Sequence, residues 1–191
     1  MKKDIILAGV GGQGILTIAT IIGDAAAAAG VNLKQAEVHG MSQRGGDVQS
    51  NLRLSTEDIY SDLIKQGAAD MIISMEPMEA LRYLPYLSEE GVVVTSSNVF
   101  KNIPNYPDEQ ALMEEFNALP HSAALPIEDL AKQNNLPKSA NMVLLGMAAP
   151  YIEILSPEQL REAIKRVFSS KGEQVVEMNC QAFDLGLNAI K

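Results

Sequence analysis

The sequence predicts an α/β fold, Rossmann-like in outline: an open, mainly parallel sheet with a helical C-terminal third. Three observations carry this. Strand-like and helix-like segments alternate through the first two-thirds of the chain. Several strand segments are unbroken apolar runs, as strands buried on both faces are. The last third holds only helix-period patterns. At 191 residues the chain suits one domain over residues 1–191. A chain of that length buries roughly 70% of its unfolded surface and so supports a full core.

The elements follow in order. Residues 4–8 are a continuous strand, and residues 9–14 a turn. Residues 15–29 read as a helix, with Gly30 as a stop beyond its end. This helix is apolar on nearly every face, from Ile15 through Ile22 and on into five alanines. A helix that faces only a sheet shows a polar stripe. The outer side of this one is therefore expected to be covered, by this chain or by another, a first hint of a subunit. Residues 33–38 can form a second strand. Residues 48–55 alternate, with Val48, Leu52 and Leu54 against Gln49, Asn51, Arg53 and Ser55, the pattern of a half-buried strand.

Residues 71–74 read as another buried strand. Glu76 and Pro77 open a helix expected to run through Leu87, with Pro85 near its end. Residues 91–95 form a strand that ends in Ser96, Ser97 and Asn98. Pro107 is expected to start an amphipathic helix to Leu119. A short strand at 122–125 and a short helix at 127–134 follow. Three helices close the chain. The first covers 139–152. The second is opened by Ser156, Pro157 and Gln159 as N-cap, N1 and N3. The third covers 175–190, with Val175, Met178, Ala182, Leu185 and Ala189 on one seam.

Charge and cysteine content narrow the function. The formal charge of −9 argues against nucleic acid or an anionic membrane as main partner. The single cysteine, Cys180, permits neither a disulfide framework nor a four-cysteine cluster within the chain. It points to a reducing compartment, the cytoplasm. The N-terminal apolar run passes into a glycine loop instead of a cleavage site, so no signal peptide is expected. No apolar stretch has the length of a membrane span.

Gly9, Gly11, Gly12, Gln13 and Gly14 form a G-x-G-x-x-G turn after a strand and before a helix. Glycines let the backbone approach an anion, and the first N–H groups of the helix point at it. Glu37, about twenty residues on, has the spacing of a ribose-binding acid. Alone, these features read as a nicotinamide dinucleotide site. The alternative is a turn that only packs strand against helix, or against another subunit. A self-sufficient NAD(P)-dependent oxidoreductase also needs a general acid or base. The chain offers only His39, which precedes Gly40 beside the first site and could serve, and His121, in a loop with no obvious partner.

A second glycine pair, Gly45 and Gly46, follows Ser42, Gln43 and Arg44 and leads into the alternating strand. With the glycine turn it identifies a family. Gly9 to Ile15 and then Glu37 to Gly46 resemble the gamma-type subunit of 2-oxoacid:ferredoxin oxidoreductases, closest to the small-subunit family of the indolepyruvate type. Arg53-Leu54-Ser55, Glu76-Pro77, Asn141-Met142, Leu145-Gly146, Asn179 and Gly186 extend the likeness over nearly the whole chain.

The resemblance implies a holoenzyme that decarboxylates a 2-oxoacid on thiamine diphosphate. It passes electrons through iron–sulfur clusters to ferredoxin and forms a coenzyme A thioester. It implies a large alpha subunit that carries the thiamine diphosphate and the clusters, with no cofactor bound tightly by this chain alone and no catalytic residue on it. The residues agree: the nearest approach to a thiamine signature is Gly46-Asp47-Val48. Net acidity places the acidic ferredoxin on the partner. A homodimer contact is also open. Gly45 and Gly46 can lay Ser42, Gln43 and Arg44 against a neighbour. Arg44 has the fork to pair with a cofactor phosphate or a partner carboxylate, or internally with Glu37 or Asp47. Asn98, at a strand end on the ligand edge, is a further candidate contact.

Overall fold

The computed structural model describes residues 1–39 and 45–190, with His39 described by its backbone alone. β1 (Lys2–Val10) runs through the middle of a six-stranded sheet, and its residues from Asp4 onward are buried. On one side it pairs in parallel with β4 (Ala69–Ser74), which pairs with β5 (Leu87–Ser96) and that with β6 (Ser122–Leu125). On the other side β1 pairs antiparallel with β3 (Asp47–Ser55), from Lys2↔Ser55 to Val10↔Asp47. β2 (Asn32–His39) pairs antiparallel with β3 and forms the edge. The order is β2-β3-β1-β4-β5-β6. Only β3 opposes the other five strands, so the sheet is mainly parallel as the sequence predicts.

Strand β3 lies between β1 and β2, which the residue pattern did not reveal. The connection from β2 to β3 is residues 40–46. Parallel pairing takes a crossover of about a dozen residues, so this short link returns as a hairpin.

Among the described residues, five of the seven α-helices gather on one side of the sheet. The helices are α1 (Ile15–Ala28), α2 (Pro77–Arg82), α3 (Glu109–Asn117), α4 (Ile127–Gln133), α5 (Ala140–Ile152), α6 (Pro157–Phe168) and α7 (Glu173–Ala189). α1, α4, α5, α6 and α7 share a large core with Ile5, Leu7, Leu52 and Ile73. α6 packs on α1 rather than on the sheet. Arg166 Nε donates to Asp24 at 2.7 Å across this contact. The outer face of α1 is therefore covered by the chain itself, the first of the two alternatives above. The opposite face carries a smaller core, where Ala80, Tyr83 and Phe116 cover Ile6, Ile72 and Val93.

Local signals set most boundaries. Ser156 accepts from Gln159 N at 3.2 Å and Gln159 Oε1 from Ser156 N at 2.7 Å, closing the predicted capping box on α6. Two expectations need correction. The helix opened at Glu76 stops at Arg82, gives way to a 3-10 turn at Leu84–Tyr86, and Leu87 already belongs to β5. Pro85 has no N–H to donate, and its ring also disfavours helical backbone at Leu84. The next helix begins after Asp108, not at Pro107, and ends at Asn117. The Asp108 carboxylate accepts from Ala111 N at 3.0 Å and caps it.

Candidate functional site at the carboxyl edge of the sheet

The parallel strands β1, β4, β5 and β6 end on one edge, where open α/β sheets bind ligands. The turn after β1 is held from within. Gln13 Oε1 accepts from Val10 N at 2.8 Å, and Gln13 N donates to Val10 O at 3.1 Å. Gln13 thus braces the turn with its side chain. Gly14 caps α1 in a left-handed conformation, φ 84°, and no side chain caps that helix. The Asn141 amide donates to Gly14 O at 3.2 Å, joining the turn to the start of α5. A Cβ on Gly14 would stand 2.8 Å from Asn141 Nδ2. Gly14→Ala is therefore expected to lower stability by about 1–2 kcal/mol through left-handed strain alone. Urea unfolding of the purified chain measures it.

The second glycine loop meets the first. Gly11 N donates to Gly46 O at 2.8 Å. Asn102 Nδ2 donates to Gly45 O at 3.0 Å. Beneath them Glu76 is fully buried. One of its carboxylate oxygens caps α2 by accepting from Glu79 N at 3.0 Å. The other accepts from Phe100 N at 3.3 Å and from the Tyr106 hydroxyl. Burial and the bond to Glu76 push the Tyr106 hydroxyl far up, so it stays a donor. Glu76 thereby fixes the segment that carries Asn102, and Asn102 holds the second loop.

The remaining predicted positions divide. Gly11, Gly12, Gln13 and Gly14 lie in the turn, whereas Gly9, expected to begin it, is still in β1 and pairs with Val48 of β3. Gly12, Gln13 and Gly14 line a groove of about 460 Å³ with Phe100, Glu128 and Lys138. Asn98 is on the same edge, but both ends of its amide serve α4. Its oxygen accepts from Glu128 N at 3.0 Å and its nitrogen donates to Asp129 at 2.8 Å. Burial pushes the Glu128 carboxyl up, against the Ser96 hydroxyl that donates to it at 2.8 Å. Ser42, Gln43 and Arg44, and with them any pairing of Arg44 with Glu37 or Asp47, lie outside the described residues.

Glu37 does not occupy a ribose-binding position. β3 separates its strand from β1, so it stands two strand spacings, roughly 10 Å, from the glycine-bearing strand. Its carboxylate accepts from Gln35 Nε2 at 2.8 Å. His121 lines a separate cleft of about 570 Å³ with Lys3 and Tyr151, at the start of β6 and so at the opposite end of the sheet. Cys180 is buried in α7, and burial pushes its thiol up. Among the described residues no group of three or more His, Cys, Asp or Glu is placed to hold a metal ion, and no helix is long and apolar enough to cross a membrane.

Sequence reasoning missed Asn102, Glu128 and Lys138, and it named Glu76 and Asn141 as part of the family likeness without assigning them a place at this edge. Glu76 was legible as a helix start before Pro77, but not as the anchor of a loop twenty-odd residues on. The three missed residues carry no local pattern.

The class of protein is a Rossmann-like α/β domain, whose carboxyl edge among the described residues carries the glycine turn, Asn98, Asn141, Glu128 and Lys138. The particular family is clear: residues 4–189 match pyruvate ferredoxin/flavodoxin oxidoreductase, and the chain belongs to that family. Indolepyruvate oxidoreductase subunit IorB of Thermococcus kodakarensis is 38% identical over 201 residues, covering 100% of this chain and 98% of that protein. The Archaeoglobus fulgidus IorB is 34% identical, covering 98% and 95%. Among solved structures, the keto/oxoacid ferredoxin oxidoreductase gamma subunit of Geobacter sulfurreducens is 25% identical, with a TM-score of 0.70, and 98% of each chain is covered. The 2-oxoglutarate:ferredoxin oxidoreductase of Magnetococcus marinus, solved with 2-oxoglutarate, coenzyme A and succinyl-CoA bound, shares the fold at 23% identity. Its TM-score is 0.76, over 99% of this chain and 31% of that one.

Proposed function

We infer that this chain, acting as one domain over residues 1–191, is the small subunit of a cytoplasmic 2-oxoacid:ferredoxin oxidoreductase of the indolepyruvate type. It completes a large subunit that supplies thiamine diphosphate and iron–sulfur clusters. The end-to-end likeness to small subunits named for indolepyruvate carries this reading. The residues here do not fit the two redox cofactors. One buried cysteine does not make a four-thiolate site, and Gly46-Asp47-Val48 is already committed to the glycine contact and to β3. A phosphate group fits better. The first turn of α1 has no capping side chain and opens beside Gly14 and Lys138. Coenzyme A, which supplies the thiol that accepts the acyl group, is the holoenzyme cofactor whose phosphates suit this edge, and Arg44 is the side chain whose charge suits such a phosphate.

Arg44→Ala tests this. In the assembled enzyme it is expected to lower turnover or coenzyme A affinity about tenfold or more, the worth of a lost charge-assisted pair. The thermal midpoint of the isolated chain stays unchanged. Titration of the isolated chain with NADH and NADPH is expected to show no tight binding. Substrate oxidation by the isolated chain with a nicotinamide would overturn the reading in favour of a self-sufficient oxidoreductase.

A further inference from the structure

Most of the chain's cations are neutralised locally. Nine of the described lysines and arginines pair with carboxylates within 4.0 Å. Lys34, Lys65, Lys138 and Lys171 do not. Two of these four, Lys138 and Lys171, line the same cavity of about 490 Å³, around the corner from the glycine edge between the start of α5 and the region where α6 gives way to α7. Among the described residues no carboxylate lines it. Thr17 of α1, Ser139 and Asn141 add hydroxyl and amide groups to the wall. Lys171 ends the 3-10 turn after α6, with its ammonium 5.4 Å from the centroid of the Phe168 ring. That contact sets the ammonium against a ring that also lines the cavity.

We propose that this cavity is a binding site for a phosphate group. On a chain of net charge −9 the average field repels anions. A pocket with two unneutralised ammonium groups, several neutral donors and no carboxylate reverses that field locally. A phosphate dianion matches the two lysine charges and accepts from the hydroxyl and amide groups beside them. A carboxylate would satisfy only half of that charge. The cavity adjoins the uncapped end of α1 and shares Lys138 and Asn141 with the groove there, but Lys171 lines this cavity alone, so Lys171→Ala tells the two apart; the proposal does not rest on the subunit assignment.

The test uses the isolated full-length chain with inorganic phosphate or ADP, against chloride at matched ionic strength. Binding is read by calorimetry and by the thermal midpoint. Saturable binding is expected in the wild type. Lys171→Ala and Lys138→Ala should each weaken it about tenfold, as loss of a charged donor does. Both side chains are exposed, so these variants keep the fold. The double variant Lys34→Ala/Lys65→Ala removes the same charge elsewhere and should bind as the wild type does. Tighter binding of ADP than of phosphate, with the same lysine dependence, assigns the group to a nucleotide; equal binding assigns a free anion. Absence of saturable binding to either probe overturns the proposal. So does equal weakening in the Lys34/Lys65 variant.

Discussion

Gly186→Ala is expected to destabilise the protein by about 3 kcal/mol or more, the upper end of what overpacking a core costs. A Cβ built on Gly186 stands 1.9 Å from Val143 O, and one built on Gly146 stands 2.0 Å from Phe183 O. The two glycines face each other's helices, so α5 and α7 cross backbone against backbone. Carbon–oxygen contacts of this kind sit at about 3.3 Å or more. The helices must therefore part by more than 1 Å, roughly, to admit one methyl group. No side chain can swing aside, because the obstructing atoms are helical carbonyls. The parting would open gaps around Phe183, Val143 and Met147, which are fully buried. Helix propensity acts the other way, since alanine is favoured over glycine by about 1 kcal/mol inside a helix. A fall in thermal midpoint of about 6–12 °C is expected for either Gly186→Ala or Gly146→Ala, from the scaling for chains of this size. An unchanged or higher midpoint would show that the two helices are not in backbone contact.

Arg53→Met is expected to cost about 3–5 kcal/mol at neutral pH, because it strands a buried carboxylate. Asp4 is 1% exposed, in the central strand. Arg53 holds it with two bonds, Nε to Oδ1 at 2.8 Å and Nη2 to Oδ2 at 3.0 Å. Its remaining nitrogen donates to Ser61 O at 3.0 Å and Leu63 O at 3.2 Å. One guanidinium therefore fastens β1, β3 and the loop after β3. Burial alone would raise the Asp4 carboxyl; the bonds to Arg53 and Lys2 outweigh it and hold the group below its usual value.

The sign of the pH dependence follows. A carboxyl lowered on folding contributes stability above its unfolded pKa, about 3.9, and that contribution is lost as pH falls through the lower folded value. Without Arg53, Lys2 alone opposes burial, and the folded carboxyl moves up from its wild-type position. The penalty of the variant then grows with pH. The stability gap between Arg53→Met and wild type, measured by urea unfolding, is expected to be smaller near pH 4.5 than at pH 7. A gap independent of pH would mean that Arg53 acts through its loop contacts alone.

Element types and most boundaries were legible in the sequence, because their causes lie within a few residues. The capping box of Ser156 and Gln159, the run from Ile5 to Ala8 and the alternation from Val48 to Ser55 needed no distant partner. The glycine turn was legible too, with the residues that tie the chain to its family. The place of β3 was not: alternation marks a strand and one buried face, but not its neighbours. Inserting β3 beside β1 removed Glu37 from the ribose position that its spacing had implied. The cover over α1, the bond from Gly11 to Gly46, and the service of Asn102, Asn141 and Glu76 to the glycine loops were likewise settled only by the folded chain. Each depends on hydrogen bonds or packing between segments far apart in sequence, 127 residues in the case of Asn141 and Gly14. A single sequence records propensity and periodicity, which are short-range properties of the backbone. Which distant donor meets which acceptor is decided by how the layers pack, and that is a property of the tertiary structure alone.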